Sequence, residues 1–439
     1  MPGQKHYLFP LYVYFMKLTK TALTLLLTIF TSIQALLVPQ TCIGQEDPEY
    51  RLIGFRFADP EQKSVSFPFE LNNNLVIITV IINNAIPLRF VLDTGVRTAI
   101  LTDRTFTDFL RVDYDRTLSM VGADGIEVIE ALVARDISLR LPGIIGTGQS
   151  VLVLQEDYLL MSKMLGSDVH GIIGYELFSR FIIDIDYENK IITFHDPNEF
   201  KAPRRFTEVD LSIEDTKPYM RGTIVLRDSS KINSKLMIDT GASHTMILNL
   251  GSHPDISLPP TILPGSLGRG LGGNILGAFG RINTFSFEDF CFEEAIISFA
   301  NEENFTEIYR NTGRQGSLGG GIMTRFHVIF DYVHEKAYFR KNRQYHRPFE
   351  YNMAGLEVSA LEPYYDRIFV QEVAPGSAAY EAGVLQGDEI LLINGRHAPA
   401  LGINAINNLF RSKVHKRIKM RVRRGTETLN LEFELARIL

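Results

Sequence analysis

Asp93 and Asp239 each end an apolar run and are each followed by Thr-Gly, in Phe90-Val91-Leu92-Asp93-Thr94-Gly95 and Leu236-Met237-Ile238-Asp239-Thr240-Gly241. Each run reads as a buried strand, and the Asp stands where that strand must turn. Burying one carboxylate in this way is costly. Doing it twice, 146 residues apart, implies that the two carboxylates meet. Two carboxylates a few ångströms apart cannot both ionise, so one proton is held between them. The ionised group can take a proton from water as the water attacks a peptide carbonyl, while the protonated one donates to the carbonyl oxygen. The protons belong to the pair, so acid and base are not assigned separately. This chemistry calls for no metal and no cofactor.

The surroundings of the two motifs repeat as well. Gly171-Ile172-Ile173-Gly174, followed by Arg180-Phe181, matches Gly316-Ser317-Leu318-Gly319, followed by Arg325-Phe326, at a constant offset of 145. Asp186-Tyr187 and Phe194 match Asp331-Tyr332 and Phe339 at the same offset. One unit of roughly 150 residues therefore occurs twice.

These motifs resemble the pepsin/retropepsin type of aspartic peptidase, with two lobes in one chain. The resemblance covers about residues 65–345. It implies a mostly β, bilobal acid-protease fold with Asp93 and Asp239 as the catalytic pair. It further implies that Thr94 and Thr240 cross-brace the two loops, while Gly95 and Gly241 let backbone approach the carboxylates. Ile172-Ile173-Gly174 fits the family's later apolar-apolar-Gly segment, and Ser317-Leu318-Gly319 fits it more loosely.

The elements that position the pair can be read in order. Leu75 to Ile82 is strand-like, Asn83-Asn84 is a turn, and Leu88 to Leu92 returns to the first Asp. Arg97 either acts on the pair or on an acidic substrate side chain, or points to solvent. Gly122-Ala123-Asp124-Gly125 sits where the resemblance places the first flap, and Asp-Gly is a hairpin-turn signal. The alternative is an ordinary surface turn. Leu152 to Leu165 should hold a strand and a short helix, and His170 reads as structural. His195 to Pro218, with three prolines, reads as the connection between lobes.

Gly268-Arg269-Gly270-Leu271-Gly272-Gly273 formally matches a dinucleotide fingerprint, but the stretch after it is strand-like rather than helical. Its position suits a second flap, with Gly270, Gly272 and Gly273 supplying a mobile lid or simply turns.

Near residue 350 the pattern changes. Gly355-Leu356-Glu357-Val358, Ala374-Pro375-Gly376-Ser377, Ala382-Gly383-Val384 and Gly387-Asp388-Glu389-Ile390 to Asn394-Gly395 follow one another. Their order resembles a PDZ domain of the bacterial-protease kind. The resemblance implies that Ile403 to Phe410 is the groove helix and that Gly355, Leu356, Glu357 and Val358 bind a peptide tail through backbone N–H groups. Glu357 and Val358 depart from the usual Gly-Leu-Gly-Phe, and a packing module that binds no tail is the alternative. The basic residues of 416–424 alternate with Ile418, Met420 and Val422, which reads as a strand with a solvated face.

The chain has 439 residues, is 45% hydrophobic and 22% charged, and is thus globular in composition. A net charge of −6 implies no nucleic-acid partner. Residues 1–45 read as a secretory signal, with Met16-Lys17 as its natural start, Leu23 to Val38 as its apolar core and the small Gly44 near its end suited to cleavage. Cleavage leaves Cys291 as the one cysteine, and hence no internal disulfide. The expected protein is secreted or periplasmic, or associated with the cell surface. Membrane association would come only through an uncleaved signal or a lipid anchor.

The expected organisation is lobe 1 over 46–200, lobe 2 over 201–345 and a small α/β PDZ domain over 350–439. The expected activity is aspartic endopeptidase action on polypeptide substrates, with a peptide ligand for the PDZ domain. The alternative is a catalytically inactive protease-like scaffold. A two-carboxylate carbohydrate hydrolase would not need Asp-Thr-Gly twice, and the chain has no Trp for a sugar platform.

Overall fold

The computed structural model describes residues 53–121, 128–302 and 310–439. The segment read as a secretory signal, residues 1–45, and the first flap candidates Gly122, Asp124 and Gly125 lie outside the described residues. The fold is mostly β. Among the described residues, no helix is long and apolar enough to cross a membrane.

Four sheets account for the architecture. A nine-stranded sheet is drawn from Gly54 to Ile173, a ten-stranded sheet from Ser212 to Leu318, and a six-stranded sheet from Leu356 to Glu434. The fourth sheet, of six strands, is shared by the two halves. Its strands run in the order Thr207–Asp210, Lys336–Lys341, Phe326–Asp331, Ile182–Asp186, Ile191–His195, Ser64–Pro68.

The sequence repeat is visible at the centre of this shared sheet. Ile182–Asp186 and Phe326–Asp331 are copies of one strand and pair antiparallel, with Asp184 opposite Ile329. Those residues are themselves counterparts (329 − 184 = 145), so an approximate two-fold axis passes through the pair. Phe178, Phe194, Phe330 and Phe339 are wholly buried around this sheet, and the core runs continuously through both lobes.

Each lobe builds the same crossing. In the first, Gly171–Ile173 lies parallel to Ile86–Leu92 and antiparallel to Ile100–Leu101. In the second, Gly316–Leu318 lies parallel to Lys231–Ile238 and antiparallel to Met246–Asn249. The short strand slots between the strand that carries the Asp and the strand that follows the loop. Only glycine fits where the strands cross: a Cβ at Gly171 would sit 2.4 Å from the Ile100 carbonyl oxygen, and one at Gly316 would sit 1.8 Å from that of Ile247.

Residues 195–218 are more than a connection. Thr207–Asp210 forms the edge of the shared sheet against Lys336–Lys341, and Ser212–Glu214 begins the second lobe against Lys217–Val225. Strand pairing within the second lobe overrode the polar, proline-rich composition. The groove helix expected over 403–410 is present, following a break at Gly402 (φ 75°) within the helical stretch Ala398–Phe410. The glycine-rich stretch forms an antiparallel hairpin, Ile262–Gly270 with Gly273–Arg281, so it lacks the helix a dinucleotide fingerprint requires.

Candidate active site

The crossing holds the two Asp-Thr-Gly loops face to face. The Asp93 N–H donates to the Ile173 carbonyl and the Asp239 N–H to the Leu318 carbonyl, each at 2.8 Å. These are counterpart bonds of the two lobes. Behind the carboxylates the threonines interlock. The Thr94 N–H donates to Thr240 Oγ1 at 3.1 Å, and the Thr240 N–H donates to Thr94 Oγ1 at 3.0 Å. Each hydroxyl then donates across to the other strand, Thr94 to the Ile238 carbonyl at 2.7 Å and Thr240 to the Leu92 carbonyl at 2.8 Å. Both threonines are 1% exposed, so none of these groups has water as an alternative partner.

The carboxylates themselves are partly exposed and hydrogen-bond to each other. Asp93 Oδ1 accepts the Gly95 N–H at 2.6 Å and Asp239 Oδ1 the Gly241 N–H at 3.1 Å. The glycines are required by space. A Cβ at Gly241 would lie 2.2 Å from Asp93 Cγ, and one at Gly95 would lie 3.0 Å from Asp93 Oδ1.

Burial raises the Asp93 carboxyl above its ordinary range, against the Gly95 N–H, the Asp239 side chain, the Gly241 N–H and the Lys217 charge. Asp239 is pushed up to about 8, first by burial and then by the Asp93 charge, with Arg314 opposing. The pair is thus built to retain a proton where isolated carboxylates have lost theirs.

Lys217 and Arg314 are the cations that sequence reasoning missed. Arg97 is not one of them: its side chain is 67% exposed and pairs with Asp215 at 3.4 Å, so the solvent-facing alternative holds. Arg314 is buried, beside the Tyr219 phenol and with Nη1 2.8 Å from Met237 Sδ. In the first lobe the corresponding places are Ile77, Val91 and Val169, an apolar cluster. A charge in one copy where the other has Val was the available signal.

Other supporting residues were also absent from the sequence reading. Asn74 Nδ2 donates to the Ser243 carbonyl at 2.9 Å, tying a first-lobe turn to the loop that follows Asp239. Glu176 Oε1 accepts the Ala99 N–H at 2.8 Å beyond the first Asp-Thr-Gly, and burial pushes this carboxyl up to about 7. His244 is paired with Ser317 Oγ at 3.3 Å, and burial pulls it down to about 4. His170 accepts the Arg89 N–H through Nδ1 at 3.0 Å, a structural role.

The second-lobe hairpin reaches the first lobe. Gly270 pairs with Gly273 at its tip around Leu271 and Gly272. Leu271 packs on the first-lobe cluster of Ile100, Ile129, Ala131 and Leu154, and the Arg269 side chain donates to the Tyr158 carbonyl. The first-lobe hairpin, Tyr114–Val121 with Val128–Leu141, carries residues 122–127, which are not described.

In the C-terminal sheet, Gly355 has φ 69°, and Leu356–Ala360 is an edge strand paired only with Ile368–Val373. The Gly355 N–H does not face an empty loop. Asn352 Oδ1 accepts from the Ala354 and Gly355 N–H groups at 3.1 and 3.2 Å, and Asn352 Nδ2 donates to the Leu356 carbonyl. Glu357 is mostly buried, and burial together with the Glu372 charge raises it. Leu356 and Val358 are buried. Backbone donors expected to take a peptide carboxylate are therefore partly engaged by a side chain.

Two lobes of repeated topology, joined by a shared sheet and meeting at paired Asp-Thr-Gly loops, define a pepsin/retropepsin-like acid-protease fold. Residues 369–424 match the family model of the PDZ domain, so the chain also carries a PDZ domain. The match begins beyond Gly355–Val358. No curated protein matches the chain by sequence. Among solved structures, the crystal structure of basic 7S globulin from soybean is similar over 65% of this chain and 97% of that one, with 12% identity and a TM-score of 0.39.

Proposed function

We propose that the chain is an aspartic endopeptidase, with Asp93 and Asp239 activating water between them. The observation that carries this reading is the symmetric approach of the two carboxylates, each held by its own glycine N–H and locked from behind by the Thr94–Thr240 exchange. With one proton on the pair, the ionised carboxylate takes a proton from the attacking water. The other carboxyl gives its proton to the carbonyl oxygen. Collapse of the tetrahedral species returns a proton to the leaving amine and leaves the pair singly protonated again. Gly95 and Gly241 act by keeping Cβ atoms out of the space the carboxylates share. The hairpin around Leu271, which reaches the first lobe, would act as the flap over a bound peptide.

The PDZ domain supplies a peptide-binding module to the same chain. The leader-like residues 1–45 point to export, with the peptidase acting outside the cytoplasm. The test is digestion of a complex mixture of unfolded proteins from about pH 3 to pH 8, with new termini read by mass spectrometry. Asp93→Asn and Asp239→Asn should each lower cleavage by about 10²–10⁴-fold while remaining folded. Equal cleavage by the variants, or none by the wild type, would refute the peptidase and leave a binding protein.

A further inference from the structure

The groove of the PDZ domain is already filled. Peptides bind PDZ domains by adding a strand beside an edge strand, under a flanking helix. Here the edge strand is Leu356–Ala360 and the helix is Ala398–Phe410, which packs across it. The short first-lobe helix Met161–Leu165 packs against both of them. Gly166, in the left-handed conformation (φ 65°), ends this helix directly on Ile403: a Cβ there would lie 3.0 Å from Ile403 Cδ1 and 3.4 Å from its Cβ. Leu356, Val358 and Ile403, members of the PDZ core, are at most 5% exposed.

Polar contacts ring this apolar seat. The Asn73 N–H donates to Asn404 Oδ1 at 3.4 Å, and the Tyr365 phenol lies near Ser162 and Asp168.

The helix belongs to the first lobe. Leu165 and Val169 are buried with Leu75, Ile77 and Val91. Asn72 Nδ2 donates to the Leu165 carbonyl at 3.1 Å, and Ser162 Oγ bridges the Val169 N–H and carbonyl. The PDZ core, by contrast, is a cluster separate from that of the lobes. The PDZ domain is therefore the partner able to leave, and the helix the one that stays.

We propose that Met161–Leu165 with Gly166 acts as a built-in ligand of the PDZ groove, so that docking of this domain on the first lobe and capture of an external apolar peptide along Leu356–Ala360 exclude each other. The inference rests on the reading of this groove as a peptide site. An external peptide must compete with a ligand in the same chain, and its apparent affinity falls by the fraction of molecules with the groove open. By linkage, a peptide that binds there releases the PDZ domain from the segment leading into Gly171–Ile173, the strand that holds Asp93 in place.

A disulfide staple tests this. A Cβ at 166 would lie 3.4 Å from that of Ile403, and a small outward shift brings the pair into the range of about 3.5–4.5 Å found between disulfide Cβ atoms. The full chain would carry Cys42→Ser, Cys291→Ser, Gly166→Cys and Ile403→Cys, with Asp93→Asn so that no probe is hydrolysed and the result is independent of the peptidase reading. The probe is an array of dodecapeptides with apolar residues at the last three positions, each made as the free carboxylate and as the amide. The expected result is that the disulfide forms in air, that the oxidised protein binds none of the array, and that dithiothreitol restores binding at least about tenfold. Preference for carboxylates would mark tail capture, and equal binding of amides would mark capture of internal segments; both fit mutual exclusion. Equal binding before and after reduction, binding in neither state, or failure of the disulfide to form overturns it. Because Ile403 is a core position, a cysteine-free variant gives a second reading. Tyr365→Phe with Asn404→Ala removes the polar groups that face the first lobe, together with the Asn408–Asn404 bond on the helix surface, and should tighten peptide binding relative to the wild type, whereas unchanged or weaker binding overturns the inference.

Discussion

Thr94 and Thr240 each accept the other's backbone N–H, at 3.0 and 3.1 Å, and each passes its hydroxyl proton to the strand opposite. Four buried bonds thus cross between lobes at the one place where the carboxylates must not drift. Replacing either threonine by Ala takes a partner from a buried N–H and from a buried carbonyl, at about 1–3 kcal/mol for each group left unpaired. Thr94→Ala should lower the urea midpoint of unfolding accordingly, while Thr94→Ser stays near the wild type. The double variant should show non-additivity of about 0.5–3 kcal/mol. Additive losses would mean that the two residues do not act as one brace.

The two loop glycines are not equivalent. A Cβ at 241 collides with Asp93 Cγ at 2.2 Å, whereas one at 95 meets Asp93 Oδ1 at 3.0 Å, a distance the neighbours can relieve by small shifts. Gly241→Ala should therefore abolish peptide hydrolysis, and Gly95→Ala should reduce it less. Circular dichroism and kcat measured together check the order. Equal activity in the two variants would contradict the asymmetry.

Lys217 and Arg314 favour the ionised forms of Asp93 and Asp239. Removing either cation raises the proton affinity of the pair. Lys217→Met and Arg314→Met should each move the limbs of the pH–activity profile to higher pH, most clearly the alkaline limb, where the last proton leaves. The profile of kcat/KM is the measurement, and unmoved limbs would show that these charges do not reach the pair.

Glu176 titrates at about 7 in the folded chain because it is buried, against an ordinary value of 4.5. The folded state therefore holds this proton more tightly than the unfolded state does. The stability it contributes is full below about pH 4.5 and is lost as pH rises toward 7. Glu176→Gln keeps an oxygen for the Ala99 N–H and cannot ionise, so its unfolding free energy should fall less than that of the wild type between pH 4.5 and 7. Parallel curves would refute this.

The chemistry and the doubling were legible in the chain because both rest on local pattern. An apolar strand running into Asp-Thr-Gly forces a buried carboxylate at a turn, and a constant offset of 145 carries the neighbours with it. The alternation of Ile418, Met420 and Val422 with basic residues likewise announced a strand, Arg417–Arg424, because period two is a property of neighbours in sequence. What was not legible depends on residues far apart in the chain. Arg314 reaches the pair only because the second crossing places it beside Met237, whereas its counterpart Val169 lies in an apolar cluster. Thr207–Asp210 looked like linker until pairing with Lys336–Lys341, more than 120 residues later in the same lobe, gave its backbone partners. Gly355–Val358 read as a carboxylate loop, yet Asn352 folds back onto its donors. The groove beside it is closed by a helix from nearly 200 residues earlier in the chain, a contact that strand and helix periodicity does not encode, since burial between units is decided only when the units meet.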